Sequence, residues 1–275
     1  MRNLSVVERQ TYRDDGVAVL RDAVTPDWVE RMAAVVEAQL AAPSRWANDG
    51  NPGAETDRHF SDRYLWRENA EIGAFIRESG VARLAAEAME SESARFYFDH
   101  ILVKEPGTAQ PTPWHQDIPY WPFRGRQICS LWLALTPCDI GSSTLEFVRG
   151  SHRDGRWYMA EAFGGTEDAN KAWIDRGEGE PVPDIEADRS AFDIVAYDMQ
   201  PGDVLIFSAW ILHGAPGNAS PDRRRAALST RWLGDDAIWD PRSGTDPTVT
   251  ADDVAVPAGA PARDDRVFPC LWNAS

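Results

Sequence analysis

The segment Pro113-Trp114-His115-Gln116-Asp117 places an imidazole and a carboxylate two positions apart. On a β-strand, side chains two positions apart point to the same face, so His115 and Asp117 could bind one metal ion together. Two imidazoles and one carboxylate on one face of an octahedral ion leave three positions open, as Fe(II) needs for a bidentate co-substrate and O2. Because an isolated His-x-Asp is a weak signal, this interpretation requires a third ligand.

The third ligand is sought among the other histidines, since the chain has five in all. His59 lies in an early polar stretch, His100 lies in an aromatic strand, and His152 lies in a turn where histidines are more often structural. His213 follows the apolar run 204–212 and is predicted to lie at the end of that strand, facing a cavity. The predicted metal ligands, which are also the predicted catalytic residues, are His115, Asp117 and His213.

Three consecutive arginines, Arg223, Arg224 and Arg225, stand at the head of another predicted strand in an otherwise acidic chain. A 2-oxoglutarate bound to iron through its keto-acid end needs a cation for its distal carboxylate, and a guanidinium offers a planar bidentate match. The alternative is a solvated loop held by salt bridges. Adjacent strand residues point to opposite faces, so only one of Arg224 and Arg225 can face the iron.

The formal net charge of −16 argues against nucleic acid and anionic membranes as partners, because both require concentrated basic surface. The cysteines Cys129, Cys138 and Cys270 have no paired spacing and suit a reducing compartment. The sequence shows neither a signal peptide nor an apolar run of membrane-spanning length. We expect a cytoplasmic protein with a small-molecule substrate, and the sequence leaves its oligomeric state open.

The predicted elements are helices first and strands later. A strand at 16–20 precedes a helix from Pro26 to about Leu40, a long polar loop over 41–64, and two short helices within 69–89. Strand-like runs follow at 96–103, 128–135, 145–148, 204–207 and 227–233. The acidic, glycine-rich stretch 154–191 is interpreted either as an insertion that covers the site or as a solvated loop. This order favours an α+β fold built on a double-sheet jelly roll over βαβ winding.

Six segments carry a resemblance to a known family. They are Tyr12-Arg-Asp-Asp-Gly-Val-Ala-Val-Leu, Trp114-His-Gln-Asp, Gly150-Ser-His, Pro201-Gly-Asp-Val-Leu-Ile-Phe, His213-Gly-Ala-Pro-Gly-Asn and Ala227-Leu-Ser-Thr-Arg-Trp. In order and spacing they resemble the phytanoyl-CoA dioxygenase (PhyH-like) family of Fe(II)/2-oxoglutarate oxygenases. The resemblance implies a double-stranded β-helix, or jelly-roll, core with N-terminal helices packed on one sheet. It also implies that 2-oxoglutarate is converted to succinate and CO2 while O2 oxidises a substrate.

The whole chain is predicted to be a single oxygenase domain. Its N-terminal helical part covers about 1–90, the jelly-roll core about 91–240 and a C-terminal tail 241–275. By position, the resemblance implies that His115, Asp117 and His213 hold the iron.

The resemblance also implies that one arginine binds 2-oxoglutarate. Counting forward from His213 gives Arg224, whereas counting back from Ser229-Thr-Arg-Trp gives Arg225. An extra residue is accommodated more easily in a loop than in a paired strand, which favours Arg225. Trp132 matches a family position beside the co-substrate. Lys104 could reach the same pocket, or it could be an exposed lysine at a strand edge.

The candidate substrate-binding residues are Tyr120, Trp121, Phe60 and Arg63, each of which could equally be a packing residue. The retained carboxylate of Asp117 favours hydroxylation, because related halogenases replace it with a small residue. The predicted function is therefore hydroxylation of a small metabolite. The alternative is a cupin-like metal-dependent isomerase or small-ligand-binding module without oxygen chemistry, which would not need an arginine anchor.

Overall fold

The computed structural model describes residues 2–160, 179–242 and 244–274. The helices are α1 (Val6–Asp15), α2 (Pro26–Ala41), α3 (Ala70–Glu78) and α4 (Val81–Met89). The strands are β1 (Val17–Leu20), β2 (Asn48–Asp49), β3 (His59–Arg63), β4 (Ser93–Lys104), β5 (Thr112–His115), β6 (Phe123–Arg124), β7 (Ile128–Ala134), β8 (Glu146–Val148), β9 (Ile194–Ala196), β10 (Val204–Ser208), β11 (His213–Ala215), β12 (Arg225–Leu233), β13 (Ile238–Trp239) and β14 (Cys270–Asn273). Within the described ranges, none of the helices is long and apolar enough to cross a membrane.

Two antiparallel sheets face each other in the core. The large sheet has the order β1-β10-β7-β12-β4-β3-β2, with β14 also paired to β4, and the small sheet has the order β5-β11-β8-β9. Side chains from both sheets share one apolar cluster, in which Trp132 and Phe207 of the large sheet accompany Phe147 and Ala215 of the small sheet. This arrangement confirms the predicted α+β fold with a jelly-roll core.

The four helices belong to the opposite side of the large sheet, because its strands alternate between two apolar faces. On β12, Ala226 and Leu228 pack into the cluster formed with the helices, whereas Ala227 between them packs into the cluster between the sheets. The sequence did not predict α1, because Tyr12 is its one buried residue. A capping box formed by Ser5 and Glu8 begins this helix.

The prediction of a continuous loop over 41–64 is wrong, because β2 and β3 lie within it. All five residues of β3 pair with β4, from His59 opposite Lys104 to Arg63 opposite His100. The strand escapes sequence-based detection because its inward and outward faces are both largely polar. Asp62 faces the helices fully buried, where it accepts hydrogen bonds from Ser44, and this pairing replaces the apolar contact that a strand pattern would require.

Gly16 supplies a test of how α1 is attached to the core. It ends α1 with a φ of +83°, and a Cβ at this position would meet the imidazole of His152, whose Nε2 lies 3.0 Å from the Arg13 carbonyl oxygen. We expect Gly16→Ala to lower the free energy of unfolding by about 2–4 kcal/mol, through left-handed strain and overpacking together. Chemical denaturation of the purified protein would measure the loss.

Gly53→Ala is the matched control, because Gly53 has a φ of +77° but nothing within 4 Å of the added Cβ. We expect this variant to lose only about 1 kcal/mol from backbone strain. Equal losses in the two variants would contradict the proposed contribution of the His152 contact.

Candidate metal centre and its surroundings

The two predicted histidine ligands are neighbours in the small sheet. His115 ends β5, His213 begins β11, and the two residues are paired in the antiparallel ladder with ring centroids 4.2 Å apart. Asp117 Oδ1 lies 3.7 Å from Nε2 of His115 and 4.0 Å from Nε2 of His213. One donor atom from each residue lies within 4.8 Å of the other two, and all three side chains are buried. The structure thus brings the predicted triad together.

The local structure of the triad differs from the prediction in two ways. Asp117 is not on a strand with His115, because β5 ends at His115 and Asp117 adopts helical backbone angles of φ −72° and ψ −38°. His213 is not at the end of the strand 204–212, because β10 ends at Ser208. The chain crosses to the small sheet after Ser208, so His213 is paired with His115 rather than with the large sheet.

Backbone carbonyls orient both imidazoles. His115 Nδ1 lies 2.8 Å from the Pro113 oxygen, and His213 Nδ1 lies 3.1 Å from the Ile211 oxygen. Because a carbonyl only accepts hydrogen bonds, each Nδ1 carries the proton and each Nε2 keeps a lone pair for a metal. Burial, reinforced by the neighbouring His115, lowers the pKa of His213 to about 3, so this imidazole is neutral at physiological pH. The donor set therefore fits a divalent metal ion.

The outer oxygen of Asp117 is held by residues of the large sheet. The Ser130 hydroxyl donates to Asp117 Oδ2 over 2.8 Å, and Arg231 Nε lies 3.9 Å from the same oxygen. Burial would raise the pKa of the Asp117 carboxyl, but Arg231 and the two imidazoles hold this pKa well below its usual range. Asp117 is thus a carboxylate with Oδ1 directed at the imidazoles. The sequence analysis missed Ser130, although it is the one hydroxyl in the apolar strand β7.

Lys104 and Arg225 form a pair of buried basic residues opposite each other in the β4–β12 ladder. Lys104 Nζ donates to the Pro216 carbonyl over 2.8 Å, and Arg225 Nη1 donates to the Leu102 carbonyl over 3.1 Å. Arg225 Nε and the indole Nε1 of Trp132, whose ring centre lies 5.8 Å from the guanidinium carbon, have no hydrogen-bond partner among the described residues. Lys104 is therefore buried rather than exposed at a strand edge.

This pair is electrostatically unbalanced. Burial and the charge of Arg225 lower the pKa of Lys104 to about 6, and burial lowers the pKa of Arg225 to about 10. His59, paired with Lys104 from β3, has its pKa lowered to about 4 by burial and by the same two cations. In the part of the chain that the structure describes, neither Lys104 nor Arg225 forms a salt bridge within 4.0 Å. The three neighbouring residues His59, Lys104 and Arg225 therefore lack a negatively charged partner, which a carboxylate ligand would supply.

The neighbouring arginines point elsewhere. Arg224 Nε donates to Glu105, just after β4, over 2.9 Å, and Arg224 Nη1 contacts Glu37 on α2. Arg223 is exposed and pairs with Asp139 at 3.0 Å. Strand alternation thus directs Arg225 inward and Arg224 outward.

The predicted substrate-binding residues occupy different environments. Tyr120 lies with its ring 5.8 Å from that of His115, and Arg63 faces the space between the sheets with Nε 3.7 Å from Asp246 Oδ2. Trp121 is buried in an aromatic cluster with Phe98. The placement of Phe60 contradicts the prediction, because Phe60 faces the helices and is fully buried in their core. The phenyl group is therefore on the opposite side of β3 from Arg63.

Gln116 connects the metal loop to the predicted insertion. Its amide nitrogen donates to the carbonyls of Arg156 and Trp210, and its oxygen accepts from the backbone of Tyr158. These contacts hold one end of the stretch 154–191 beside the triad. The predicted cover over the site falls largely on residues 161–178, which lie outside the described residues.

A family model described as phytanoyl-CoA dioxygenase (PhyH) matches residues 12–226, a range that contains the triad and the cation pair. The chain belongs to the phytanoyl-CoA dioxygenase family. It is accordingly a non-haem Fe(II)- and 2-oxoglutarate-dependent oxygenase, and the expected cofactors Fe(II), 2-oxoglutarate and O2 follow from this membership.

Relatives of the chain include dioxygenase FrzG of Cladobotryum sp., which is 23% identical over 246 residues, covering 82% of this chain and 72% of the relative. The fold matches that of the 2-oxoglutarate-dependent carbocyclase SnoK from nogalamycin biosynthesis, with a TM-score of 0.73, 20% identity and coverage of 97% and 96%. It also matches the epimerase SnoN solved with Fe3+, α-ketoglutarate and nogalamycin RO, with a TM-score of 0.70, 22% identity and coverage of 97% and 98%.

The hydrogen bond from Ser130 to Asp117 yields a prediction for metal binding. We expect Ser130→Ala to weaken Fe(II) or Mn(II) binding about 10- to 100-fold, because outer partners of a ligating carboxylate fix its orientation. Anaerobic calorimetry would measure the affinity. Ser93→Ala is the control, because Ser93 donates to Asp235 over 2.6 Å in a similar pair at the start of β4. Equal metal affinity in Ser130→Ala and the unmodified protein would contradict the assignment.

Proposed function

We propose that His115, Asp117 and His213 bind Fe(II), and that Arg225 and Lys104 bind the distal carboxylate of 2-oxoglutarate. The observation that supports this assignment most strongly is the buried Lys104–Arg225 pair without an acidic partner. The pair lies on the face of the large sheet that is directed at the small sheet, which carries both histidines. A cupin-like isomerase or a simple binding module would have no use for such a pair.

Each residue contributes a defined role in this proposal. His115, Asp117 and His213 would hold Fe(II), which when bound would supply O2 activation coupled to decarboxylation of 2-oxoglutarate. His115 and His213 offer Nε2 lone pairs because their Nδ1 protons are engaged with carbonyls. Arg225 presents a planar fork to a carboxylate, and Lys104 adds a second donor beside it. Trp132 packs against Arg225, and its indole N–H has no hydrogen-bond partner among the described residues.

The proposed reaction is hydroxylation of a small-molecule metabolite. Retention of the Asp117 carboxylate supports hydroxylation rather than halogenation, because a halide would need that position on the metal. Tyr120, beside His115, and Arg63, on the inner face of β3, are the proposed substrate contacts, and Trp121 supports them from the aromatic cluster. We further propose a single-domain, cytoplasmic enzyme without nucleic-acid or membrane partners, in keeping with its charge and free cysteines.

A matched pair of arginine variants tests this proposal. We expect Arg225→Ala to weaken 2-oxoglutarate binding to the Fe(II) protein by about one to three orders of magnitude, because it removes a charge-assisted bidentate contact in a buried site. Arg224→Ala should change this affinity by less than about three-fold, since Arg224 lies on the other face in a partly exposed ion pair.

Anaerobic titration of the visible charge-transfer band of the Fe(II)–2-oxo acid chelate would give these affinities. His115→Ala should abolish the band. A severe Arg224→Ala defect beside a silent Arg225→Ala would overturn the assignment, as would 2-oxoglutarate binding that requires neither residue.

The low pKa of Lys104 adds a prediction about protons. Lys104 is mostly neutral above its pKa of about 6, and a bound dianion would raise that pKa toward the usual value of 10.5. Binding of 2-oxoglutarate to the metal-loaded protein should therefore take up about one proton at pH 8, and affinity should rise by up to about ten-fold per pH unit as pH falls toward 6. Calorimetry in buffers with different ionisation enthalpies measures this uptake.

Lys104→Met is the control for this measurement, because it removes the titrating amine while keeping most of the side-chain volume. We expect the variant to bind 2-oxoglutarate more weakly and without the proton uptake. Uptake that persists unchanged in Lys104→Met would assign the proton to a different group.

A further inference from the structure

A second basic group lies on the inner face of the large sheet, apart from the Lys104–Arg225 pair. Arg63 on β3 is paired with His100 on β4, and His100 is paired with Ser229 on β12. Arg231 lies two residues beyond Ser229 on the same face. Because His100 is four residues from Lys104 along β4, the two groups are separated by roughly 13 Å. The Lys104–Arg225 pair therefore leaves Arg63, His100 and Arg231 for another ligand.

A β-bulge in β4 lies opposite Arg231. Thr230 pairs with Asp99 and Trp232 pairs with Phe96, so Arg231 alone opposes two residues of β4, Tyr97 and Phe98. The extra residue belongs to β4, whereas β12 keeps an unbroken register with β7, so strand alternation sets the inward direction of Arg231. The Arg231 guanidinium carbon lies 5.2 Å from the Phe98 ring centre, and its Nε lies 3.9 Å from the outer oxygen of the metal ligand Asp117.

Buried polar atoms without hydrogen bonds are concentrated in this region. They are Arg63 Nε, His100 Nε2 and Arg231 Nε, none of which has a hydrogen-bond partner among the described residues. The hydroxyls of Tyr64 and Tyr97 interact with each other. Arg231 is itself more than nine-tenths buried, with an exposed fraction of 7%. Unsatisfied buried donors are costly, so several of them around one space indicate a ligand rich in acceptor oxygens.

The charge of the region indicates how many negative charges that ligand carries. The acidic groups on the same face as Arg63, His100 and Arg231 are Asp246, 3.7 Å from Arg63, and the predicted metal ligand Asp117. Asp99 also acts on Arg231, but it lies on the opposite face of β4, where the backbone N–H groups of Leu65 and Trp66 donate to its carboxyl. Burial and the two arginines keep the pKa of His100 well below its usual value, so His100 is neutral. With the charge of Asp117 engaged by the metal, two arginines and one aspartate leave one net positive charge. A monoanion balances it better than a phosphate dianion does.

We propose that the substrate is an organic carboxylate whose carboxylate group binds Arg63 and Arg231 beside His100. This inference rests on the proposed function, because it assumes that the metal binds at the triad and that the distal carboxylate of 2-oxoglutarate binds at the Lys104–Arg225 pair. Arg231 lies within 4 Å of a metal ligand. The carbon atoms nearest the substrate carboxylate are therefore the ones that face the metal.

The test uses paired probes on the anaerobic protein loaded with Fe(II) and saturating 2-oxoglutarate. Benzoate, 3-phenylpropanoate and octanoate are each titrated by calorimetry beside their primary amides, which keep the shape and lose the charge. We expect at least one acid to bind about ten-fold or more tightly than its amide. Arg63→Gln and Arg231→Gln should remove this preference, Arg231→Lys should keep part of it, and the exposed-surface control Arg13→Gln should keep it fully.

Arg63→Gln is decisive if Arg231→Gln loses metal, because the ion pair of Arg63 is with Asp246 and, within the described residues, Arg63 forms none with the triad. Equal binding of acids and amides, no binding by any acid, or a preference that survives in Arg63→Gln would overturn the proposal. The proposed function is tested separately by 2-oxoglutarate binding to the Fe(II) protein without probes. Failure of 2-oxoglutarate to bind would overturn the proposed function. If 2-oxoglutarate binds but the acids and their amides bind equally well, only the proposal of a carboxylate substrate is overturned.

Discussion

The alternation of side chains along β12 is the constraint on which both halves of the site depend. Arg225, Ser229 and Arg231 face the space between the sheets, whereas Ala226 and Leu228 pack against the helices. This strand therefore supplies Arg225 to the proposed 2-oxoglutarate site and Arg231 to the surroundings of Asp117. A shift of register by one residue would turn both arginines into the helical core, so the apolar face that packs on the helices fixes the functional face as well.

The interior charges have a cost that the rest of the fold must offset. Burying a cation without a partner is unfavourable, and the lowered pKa values of Lys104 and Arg225 express that cost. The helices and the two apolar clusters of the large sheet hold these strands in register regardless of ligand. A site kept unbalanced in this way favours anions strongly, because a bound carboxylate relieves a penalty already present in the free protein. This holds even though the chain as a whole carries a net charge of −16.

The sequence predicted the triad and the central strands, because residue type and spacing carry that information directly. It did not predict which strand holds each ligand, since the pairing of His115 with His213 joins segments almost a hundred residues apart. It assigned β3 to a loop, because the buried Asp62 accepts a hydrogen bond from Ser44 where a strand pattern would require an apolar residue. Without that strand, the sequence assigned no face to Phe60, which was placed in the substrate cavity although it packs in the helical core. Contacts of this kind depend on tertiary pairing, which local patterns do not encode.

Arg231 links the metal to the proposed substrate group. Its Nε lies 3.9 Å from the outer oxygen of Asp117, and its guanidinium also lies over Phe98 in the second basic group. An anion bound at Arg231 would draw part of its positive potential away from Asp117, so the carboxylate would donate more strongly to the metal. The electrostatics of the ligand set and the occupancy of the substrate group are then coupled through one side chain. Such a coupling makes the metal responsive to substrate without any movement of the backbone.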